Sequence, residues 1–203
     1  MKLRLSYYDG EFDAGLIVRV PANKDFYEAG YELMEQISDF MPNYFSNIEL
    51  AAIINASTIL VNGKSVYCYK WISGGYTSTD IASLDNYIAN YHSSFSKVRS
   101  ASSKYNCHSY AWYSTASTNV YWIEDPSPIY NNTSYWTLWH VPMRNWQSGD
   151  RVTFWSSSTL LHSAIVNSAT SCTSKLGHYG VYTTTISEME SFYGSSSMQA
   201  YIP

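Results

Sequence analysis

The residues of this chain best suited to nucleophilic chemistry centre on Cys107, which lies between Asn106 and His108 in the stretch KYNCHSYAWY. If Asn106 caps a helix that runs from Cys107 to Ala116, the thiol lies among the unpaired backbone N–H groups of the first turn. The positive end of a helix lowers the pKa of a thiol, and the thiolate is the reactive form. The backbone N–H groups of Cys107 and His108 could also bind a developing oxyanion. We therefore predict that Cys107 is a nucleophile; the alternative is a small, buried and inert residue.

His162 is the best candidate for the base that such a nucleophile needs. It stands in LHSAIV, an apolar run typical of a strand, and the preceding GDRVTFW has the pattern of another strand. A strand holds an imidazole in a fixed position, so we predict that His162 is the general base. The alternative is a core histidine bonded to a backbone carbonyl. His108 adjoins Cys107, but consecutive helical side chains diverge by roughly 100°, which predicts a structural or rim position.

The residue that orients the imidazole should lie on the next strand, in ATSCTSKLG. A third polar group fixes the tautomer of a catalytic histidine. Lys175 is positively charged and is a poor orienter for a base, which leaves the hydroxyl groups. We predict Ser174 in this role, with Thr173, a water molecule or a backbone carbonyl as open alternatives. Alternation along a strand predicts that Ser174 shares a face with Cys172 while Thr173 points the other way.

Sequence patterns for metal and phosphate chemistry are absent. His162, Cys172 and His178 are spaced ten and six positions apart, which matches no recurring zinc pattern, and the chain has no HExxH or CxxC motif. It also has no GxSxG elbow and no phosphate-binding glycine loop. We predict no bound metal and no cofactor.

Composition and charge exclude some classes of partner. The chain has 203 residues, a formal net charge of −4 and only 14% charged residues, which argues against binding nucleic acid or anionic lipid through charge. No run approaches the roughly 18 apolar residues of a membrane span, and the stretch MKLRLSYYDGEFDAG lacks the apolar segment of a signal peptide. Abundant Ser, Thr, Asn and Tyr in place of Lys and Glu favour an exported, extracellular protein. Three cysteines leave at least one free thiol.

Periodicity predicts a mixed order of helices and strands. Apolar residues at helical spacing predict a helix over 23–42 and another over 80–98, with His92 on its solvated face. The Asn62-Gly63 pair between two β-rich runs predicts a hairpin with a type I′ turn. Four short apolar runs after residue 150 predict an antiparallel sheet. We expect an α/β extension over residues 1–75 and a catalytic domain over residues 76–203.

The order of four motifs resembles the NlpC/P60-type papain-like cysteine peptidases and the related amidase domains of bacterial cell-wall proteins. These motifs are YNCHSYAWY, GDRVTFW, HSAIV and SKLGHYGVY, and the likeness covers residues 80 to 190. The resemblance implies an α+β fold in which a helix that begins at the catalytic cysteine packs on an antiparallel sheet. It makes Cys107 the nucleophile, His162 the base and Ser174 the nearest match to the third position. The residues on both sides of the cysteine depart from the family's usual ones, which is typical of a divergent branch.

The resemblance also implies amide hydrolysis through a thioester, in the peptide stems of bacterial peptidoglycan. The side chains expected to contact such a substrate are Tyr105, His108, Trp112 and Trp122. Two alternatives stay open. One is a non-catalytic cell-wall or surface binding module on the same scaffold. The other is an acyltransferase, in which the thioester passes its acyl group to an amine or a lipid instead of water.

Overall fold

The computed structural model describes the backbone of residues 2–8, 13–19, 49–139 and 145–203, and the side chains of residues 55–139 and 145–203. The helix predicted over 23–42 and the residue His140 lie outside the described residues. The described chain has an α+β fold with two antiparallel sheets and four helices. None of the described helices is long and apolar enough to cross a membrane.

Twelve strands form the two sheets. In chain order they are β1 (Lys2–Tyr8), β2 (Asp13–Arg19), β3 (Glu49–Val61), β4 (Lys64–Ser73), β5 (Ser96–Arg99), β6 (Tyr121–Trp122), β7 (Thr137–Trp139), β8 (Arg151–Ser156), β9 (Thr159–Val166), β10 (Ser171–Lys175), β11 (Val181–Thr185) and β12 (Ser197–Ile202). The first sheet has the order β2-β1-β3-β4-β6, and the second has the order β5-β11-β10-β9-β8-β12-β7. The four strands predicted after residue 150 are β8 to β11, and they lie next to one another in the second sheet.

The hairpin predicted at Asn62-Gly63 joins β3 and β4. Both turn residues have a positive φ, 51° for Asn62 and 74° for Gly63, as a type I′ turn requires. The hydrogen-bonded register pairs Val61 with Lys64 across this turn. The prediction of this hairpin is therefore confirmed.

Helix α1 (Ser78–Tyr91) begins with a reciprocal cap. The Asp80 N–H donates to Thr77 Oγ1 at 3.2 Å, and the Thr77 N–H donates to the Asp80 carboxylate at 2.7 Å. The helix ends well before the predicted residue 98, because the chain turns after His92 and enters β5, which pairs with β11. His92 is half-buried, with its ring centroid 4.8 Å from that of Phe192. The expectation of a solvated histidine is therefore wrong.

Helix α2 (Cys107–Trp112) begins at the predicted residue and ends before Ala116. Asn106 is its cap, as predicted, and its Oδ1 accepts the Ser109 N–H at 3.0 Å. The same side chain donates through Nδ2 to the Ile123 carbonyl at 2.6 Å. The cap therefore fastens the start of α2 to the segment that follows β6.

Two apolar cores lie on opposite faces of the second sheet. The first joins the β3–β4 hairpin to α2 and to the short helix α3 (Ser127–Tyr130), which was not predicted. The second lies under α1 and α4 (Ile186–Phe192), another helix that was not predicted. Because the first core contains residues of the hairpin together with residues 111–136, it joins parts of the chain on both sides of position 75.

Candidate active site

The candidate site lies where β9 and β10 separate. Ladder pairing between them covers two positions and ends at Ile165 with Thr173. Strand β10 nevertheless continues to Lys175, where it still pairs with β11 at Val181. The second sheet therefore has a gap on one side of β9, next to residue 163.

Side chains fill this gap where a ladder would otherwise continue. The Ser163 carbonyl accepts the Ser174 hydroxyl at 2.7 Å, and the Ser163 backbone also hydrogen-bonds to the thiol of Cys107. Helix α2 packs against both β9 and β10 at this point. The N-terminus of α2 and the sulfur of Cys107 are thus set against the open side of β9.

Cys107 is almost completely enclosed, with 6% of its surface exposed. Burial raises the pKa of the thiol to about 11, although hydrogen bonds from the backbone of Ser163, His108 and Cys107 itself act in the opposite direction. The positive charge of Lys175 also acts to lower it. The predicted lowering of this pKa is therefore wrong: removal of water from the sulfur outweighs the donors of a helix of only six residues. At pH 7 Cys107 carries a protonated thiol.

Ser163 lies between two side chains of α2. Trp112 Nε1 donates to Ser163 Oγ at 2.9 Å, and His108 Nδ1 lies 2.9 Å from the same oxygen. Burial lowers the pKa of His108 to about 4, against the opposing effect of Asp125, so this imidazole is neutral at pH 7. The sequence analysis missed Ser163. The signal that could have indicated it is a single hydroxyl inside the apolar run LHSAIV.

His162 points to the opposite face of β9, because consecutive strand residues alternate. Its ring is fully buried, stacks on Tyr193 with 3.9 Å between centroids, and lies 5.8 Å from the ring of Phe154. Neither ring nitrogen has a hydrogen-bond partner among the described residues. The structure therefore contains neither a Cys107–His162 hydrogen bond nor the alternative bond to a backbone carbonyl. Burial lowers the pKa of His162 well below 6.5, and the neighbouring His108 adds to this effect.

Tyr193 is close to both predicted catalytic residues. Its ring stacks on His162. Burial raises the pKa of Tyr193 well above its usual value, and a negative charge on Cys107 raises it further. Tyr193 is therefore within range of the charge of the sulfur, and its ring contacts the imidazole directly. The sequence analysis did not single out Tyr193 among the 20 tyrosines of the chain.

Ser174 makes no hydrogen bond to His162. It is fully buried, and its hydroxyl donates to the Ser163 carbonyl. Thr173 lies on the other face of β10, and its Oγ1 contacts the Thr183 hydroxyl at 2.6 Å. The predicted alternation of Ser174 and Thr173 is therefore confirmed. The predicted hydrogen bond to the imidazole is not formed, because the gap in the sheet directs the Ser174 hydroxyl to a backbone carbonyl of β9.

Three of the four predicted substrate contacts are core residues. Tyr105, His108 and Trp112 are 1%, 7% and 4% exposed. Such side chains do not line an open groove, and in a Tyr-rich chain most large rings fill the interior. Trp122 is half-buried, with its ring centroid 5.2 Å from that of His178. Its role as a substrate contact stays a prediction.

Lys175 is a fully buried cation beside the site. Its Nζ donates to the backbone carbonyls of Ser102 at 2.8 Å and Gly177 at 2.5 Å, and also to that of Tyr179. Three donors and three acceptors satisfy the ammonium group. Lys175 therefore ties the segment before α2 to the turn after β10, and it adds a positive charge close to Cys107.

Comparisons of the chain with protein-family models, with curated proteins and with solved structures find no match. In the described part of the chain, no three His, Cys, Asp or Glu side chains lie close enough together to hold a metal ion. The groups at this site that can take part in chemistry are the thiol of Cys107, the buried imidazoles of His108 and His162, and the backbone N–H groups at the start of α2.

Proposed function

We propose that this protein is a cysteine hydrolase that cleaves amide bonds, with Cys107 as the nucleophile and His162 as the base. The observation that carries the proposal is a fully buried imidazole with no partner at either nitrogen, stacked on a tyrosine that lies near the thiol. Buried polar groups without partners are rare and are costly to maintain. A neutral imidazole without a hydrogen-bond partner, on the strand against which α2 packs, is suited to accept the proton of the Cys107 thiol.

In the proposed reaction, the thiol proton passes to His162 as the sulfur attacks the amide carbon. The oxyanion of the tetrahedral intermediate accepts hydrogen bonds from the backbone N–H groups at the start of α2. The C–N bond then breaks, and the imidazolium gives its proton to the leaving amine. Water attacks the resulting thioester with His162 as base, which releases the carboxylic acid and restores the thiol.

The raised pKa of Cys107 and the lowered pKa of His162 favour the neutral thiol–imidazole pair over the ion pair at pH 7. No hydrogen bond joins the two residues among the described contacts. We therefore propose that proton transfer follows substrate binding, which must first bring the sulfur and the imidazole within hydrogen-bond distance. This predicts low reactivity of the free thiol together with efficient reaction on the true substrate.

We further propose that the domain is papain-like, of the NlpC/P60 type, and that its substrates are the peptide stems of bacterial peptidoglycan. Support comes from a cysteine at the start of a helix packed on an antiparallel sheet and a histidine on the adjacent strand. The low charge and the high Ser, Thr, Asn and Tyr content are in keeping with an extracellular or cell-wall location.

The direct test is mass spectrometry of purified peptidoglycan fragments after incubation with the protein and with the Cys107→Ala variant. New peptide ends that appear only with the unaltered protein support the proposal and identify the bond. Acyl groups transferred to an added amine would identify an acyltransferase instead.

A second candidate is a non-catalytic cell-wall binding module on the same scaffold. The observation that favours it is the protonated, enclosed thiol, which by itself resembles an inert core cysteine. In this case the peptidoglycan stays intact, and both the unaltered protein and Cys107→Ala sediment with it equally.

A further inference from the structure

We propose that Ser163 is the positioning residue of this site: its hydroxyl seats α2 on β9, and its backbone holds the thiol of Cys107. Nothing in the resemblance pointed to this residue. Its effect on rate rests on the proposed hydrolysis, whereas its effect on α2 rests on the described hydrogen bonds alone. The two parts are therefore tested separately below.

The hydroxyl of Ser163 connects to both ends of α2. His108 is the second residue of the helix and Trp112 is the last, and both side chains reach the same oxygen at 2.9 Å. Asn106 and Arg151 also hold this helix, at the Ser109 N–H and the Ala111 carbonyl, but neither of these side chains belongs to β9. Two bonds to one fixed oxygen set both the position and the direction of α2 on the strand.

These bonds also assign the tautomer of His108. The indole N–H of Trp112 can only donate, so Ser163 Oγ accepts from it. Among the described contacts the hydroxyl has His108 Nδ1 as its remaining partner. The hydroxyl proton is therefore donated to Nδ1, and the ring proton of the neutral imidazole is on Nε2.

The backbone of Ser163 forms hydrogen bonds of its own at the gap between β9 and β10. In an antiparallel ladder, a hydrogen-bonded residue bonds through both its N–H and its C=O to the residue opposite it on the neighbouring strand. Here the carbonyl accepts from the Ser174 side chain and the remaining backbone group bonds to the thiol of Cys107. Cys107 therefore lies against the backbone of Ser163, beyond the point where the pairing of β9 with β10 ends.

The expected consequence of Ser163→Ala is a loss of position without a loss of sheet structure. The backbone bonds of β9 to β8 remain, but α2 loses its hydroxyl partner at both ends. We expect kcat for amide hydrolysis to fall about tenfold to a hundredfold, which is the effect of losing one or two buried hydrogen bonds at 1.4 kcal/mol per decade. KM should stay within about twofold, since neither lost bond reaches the substrate.

Thr153→Val is the matched control. Thr153 pairs directly with Ser163 across β8 and β9, is equally buried, and accepts the Trp155 indole N–H at 2.8 Å. Both variants therefore lose a buried hydroxyl that accepts from an indole, but only Ser163→Ala affects α2. We expect similar losses of thermal stability and a changed kcat in Ser163→Ala alone. Ser163→Thr, which restores the hydroxyl, should recover most of the rate.

Nitrogen-15 NMR of the unaltered protein tests the hydrogen bonds between the Ser163 hydroxyl and α2 without any activity measurement. We expect the His108 ring to carry its proton on Nε2, with Nδ1 as a hydrogen-bond acceptor, and we expect Ser163→Ala to shift this signal and that of the Trp112 indole. A proton on Nδ1, or signals unchanged by Ser163→Ala, would contradict the claim that the Ser163 hydroxyl holds α2 on β9. Unchanged kcat in Ser163→Ala, or an equal fall in Thr153→Val, would overturn the positioning role while leaving the hydrolase proposal intact. Hydrolysis undiminished by Cys107→Ala would instead overturn the hydrolase proposal.

Discussion

Two neighbouring polar residues of β9 lie on opposite faces of the second sheet and differ in their hydrogen bonding. On the face of α2, Ser163 bonds two side chains through its hydroxyl. On the other face, His162 lies among aromatic rings and bonds nothing at either nitrogen. A buried polar group with a hydrogen-bond partner contributes to the stability of the fold. A buried polar group without a partner lowers the stability and is retained only where a function requires it. The polar side chain on the α2 face is therefore a hydrogen-bonded support, and the imidazole on the other face is an acceptor without a partner among the described residues.

The largest expected effect is loss of activity in His162→Phe. The new ring can still stack on Tyr193 but cannot accept a proton, and general-base catalysis contributes about 10²- to 10⁴-fold in rate. We expect the rate of peptidoglycan cleavage to fall by at least about 100-fold, with the circular dichroism spectrum unchanged. His92→Phe, on a half-buried helix end, is the control and should retain its rate. Equal losses in the two variants would point to a structural cause.

The next effect is a loss of stability in mild acid. Both His108 and His162 have folded-state pKa values below the unfolded value of 6.5, with that of His108 at about 4. Below pH 6.5 the unfolded chain takes up protons that the folded chain excludes, so the free energy of unfolding falls as the pH is lowered. Each imidazole contributes a slope of about 1.4 kcal/mol per pH unit. Urea unfolding between pH 7.5 and about pH 4 measures this slope, and His162→Phe should reduce it by one group; a slope that stays the same would contradict a buried neutral His162.

The same substitution on the two faces should change stability in opposite directions. His162→Phe replaces two unsatisfied buried nitrogens by carbon and should raise the free energy of unfolding by about 1 kcal/mol or more. His108→Phe leaves the Ser163 hydroxyl without its acceptor and should lower the free energy of unfolding by about 1–3 kcal/mol. Urea unfolding at pH 7.5 compares them. Two changes of the same sign would remove the distinction between the faces.

The smallest effect is expected for Ser174→Ala. Its hydroxyl donates to a backbone carbonyl and does not reach His162. We expect a loss of about 1 kcal/mol in the free energy of unfolding and a change in rate below about tenfold. Thr173→Ala, on the opposite face of β10 from Ser174, is the control and should leave the rate unchanged. A rate loss in Ser174→Ala as large as that of His162→Phe would show that the serine does orient the imidazole during turnover.

Local signals in the sequence predicted the local parts of the fold. Asn62-Gly63 fixed the hairpin because only residues tolerant of positive φ suit that turn, and Asn106 marked the start of α2 because its side chain can cap free N–H groups. The strands β8 to β11 followed from short apolar runs. The helix over 80–98 was predicted too long, because β5 pairs with β11, a segment about 80 residues away, and periodicity alone does not report such pairing.

The sequence indicated candidate residues for the site, but it did not predict the contacts that these residues make. Cys107 and His162 were chosen by residue type and position, and their catalytic roles stay a prediction; the structure places His162 in β9 and Cys107 at the start of the helix that packs on this strand. The separation of β9 from β10, the role of Ser163 and the rise in the thiol pKa depend on burial and on strand spacing, which arise only in the folded chain. Tyr105 and Trp112 were expected in a groove because aromatic residues suit both grooves and cores, and the sequence alone does not separate the two.

The central claim, that Cys107 forms a thioester with a substrate acyl group, is tested most directly by acid quenching during turnover. The protein is mixed with purified peptidoglycan peptides, quenched, digested and mapped by mass spectrometry. We expect a substrate acyl group on the peptide that contains Cys107, none on Cys68 or Cys172, and no cleavage by Cys107→Ala. Cleavage that continues undiminished in Cys107→Ala, or an acyl group on a different residue, would contradict it.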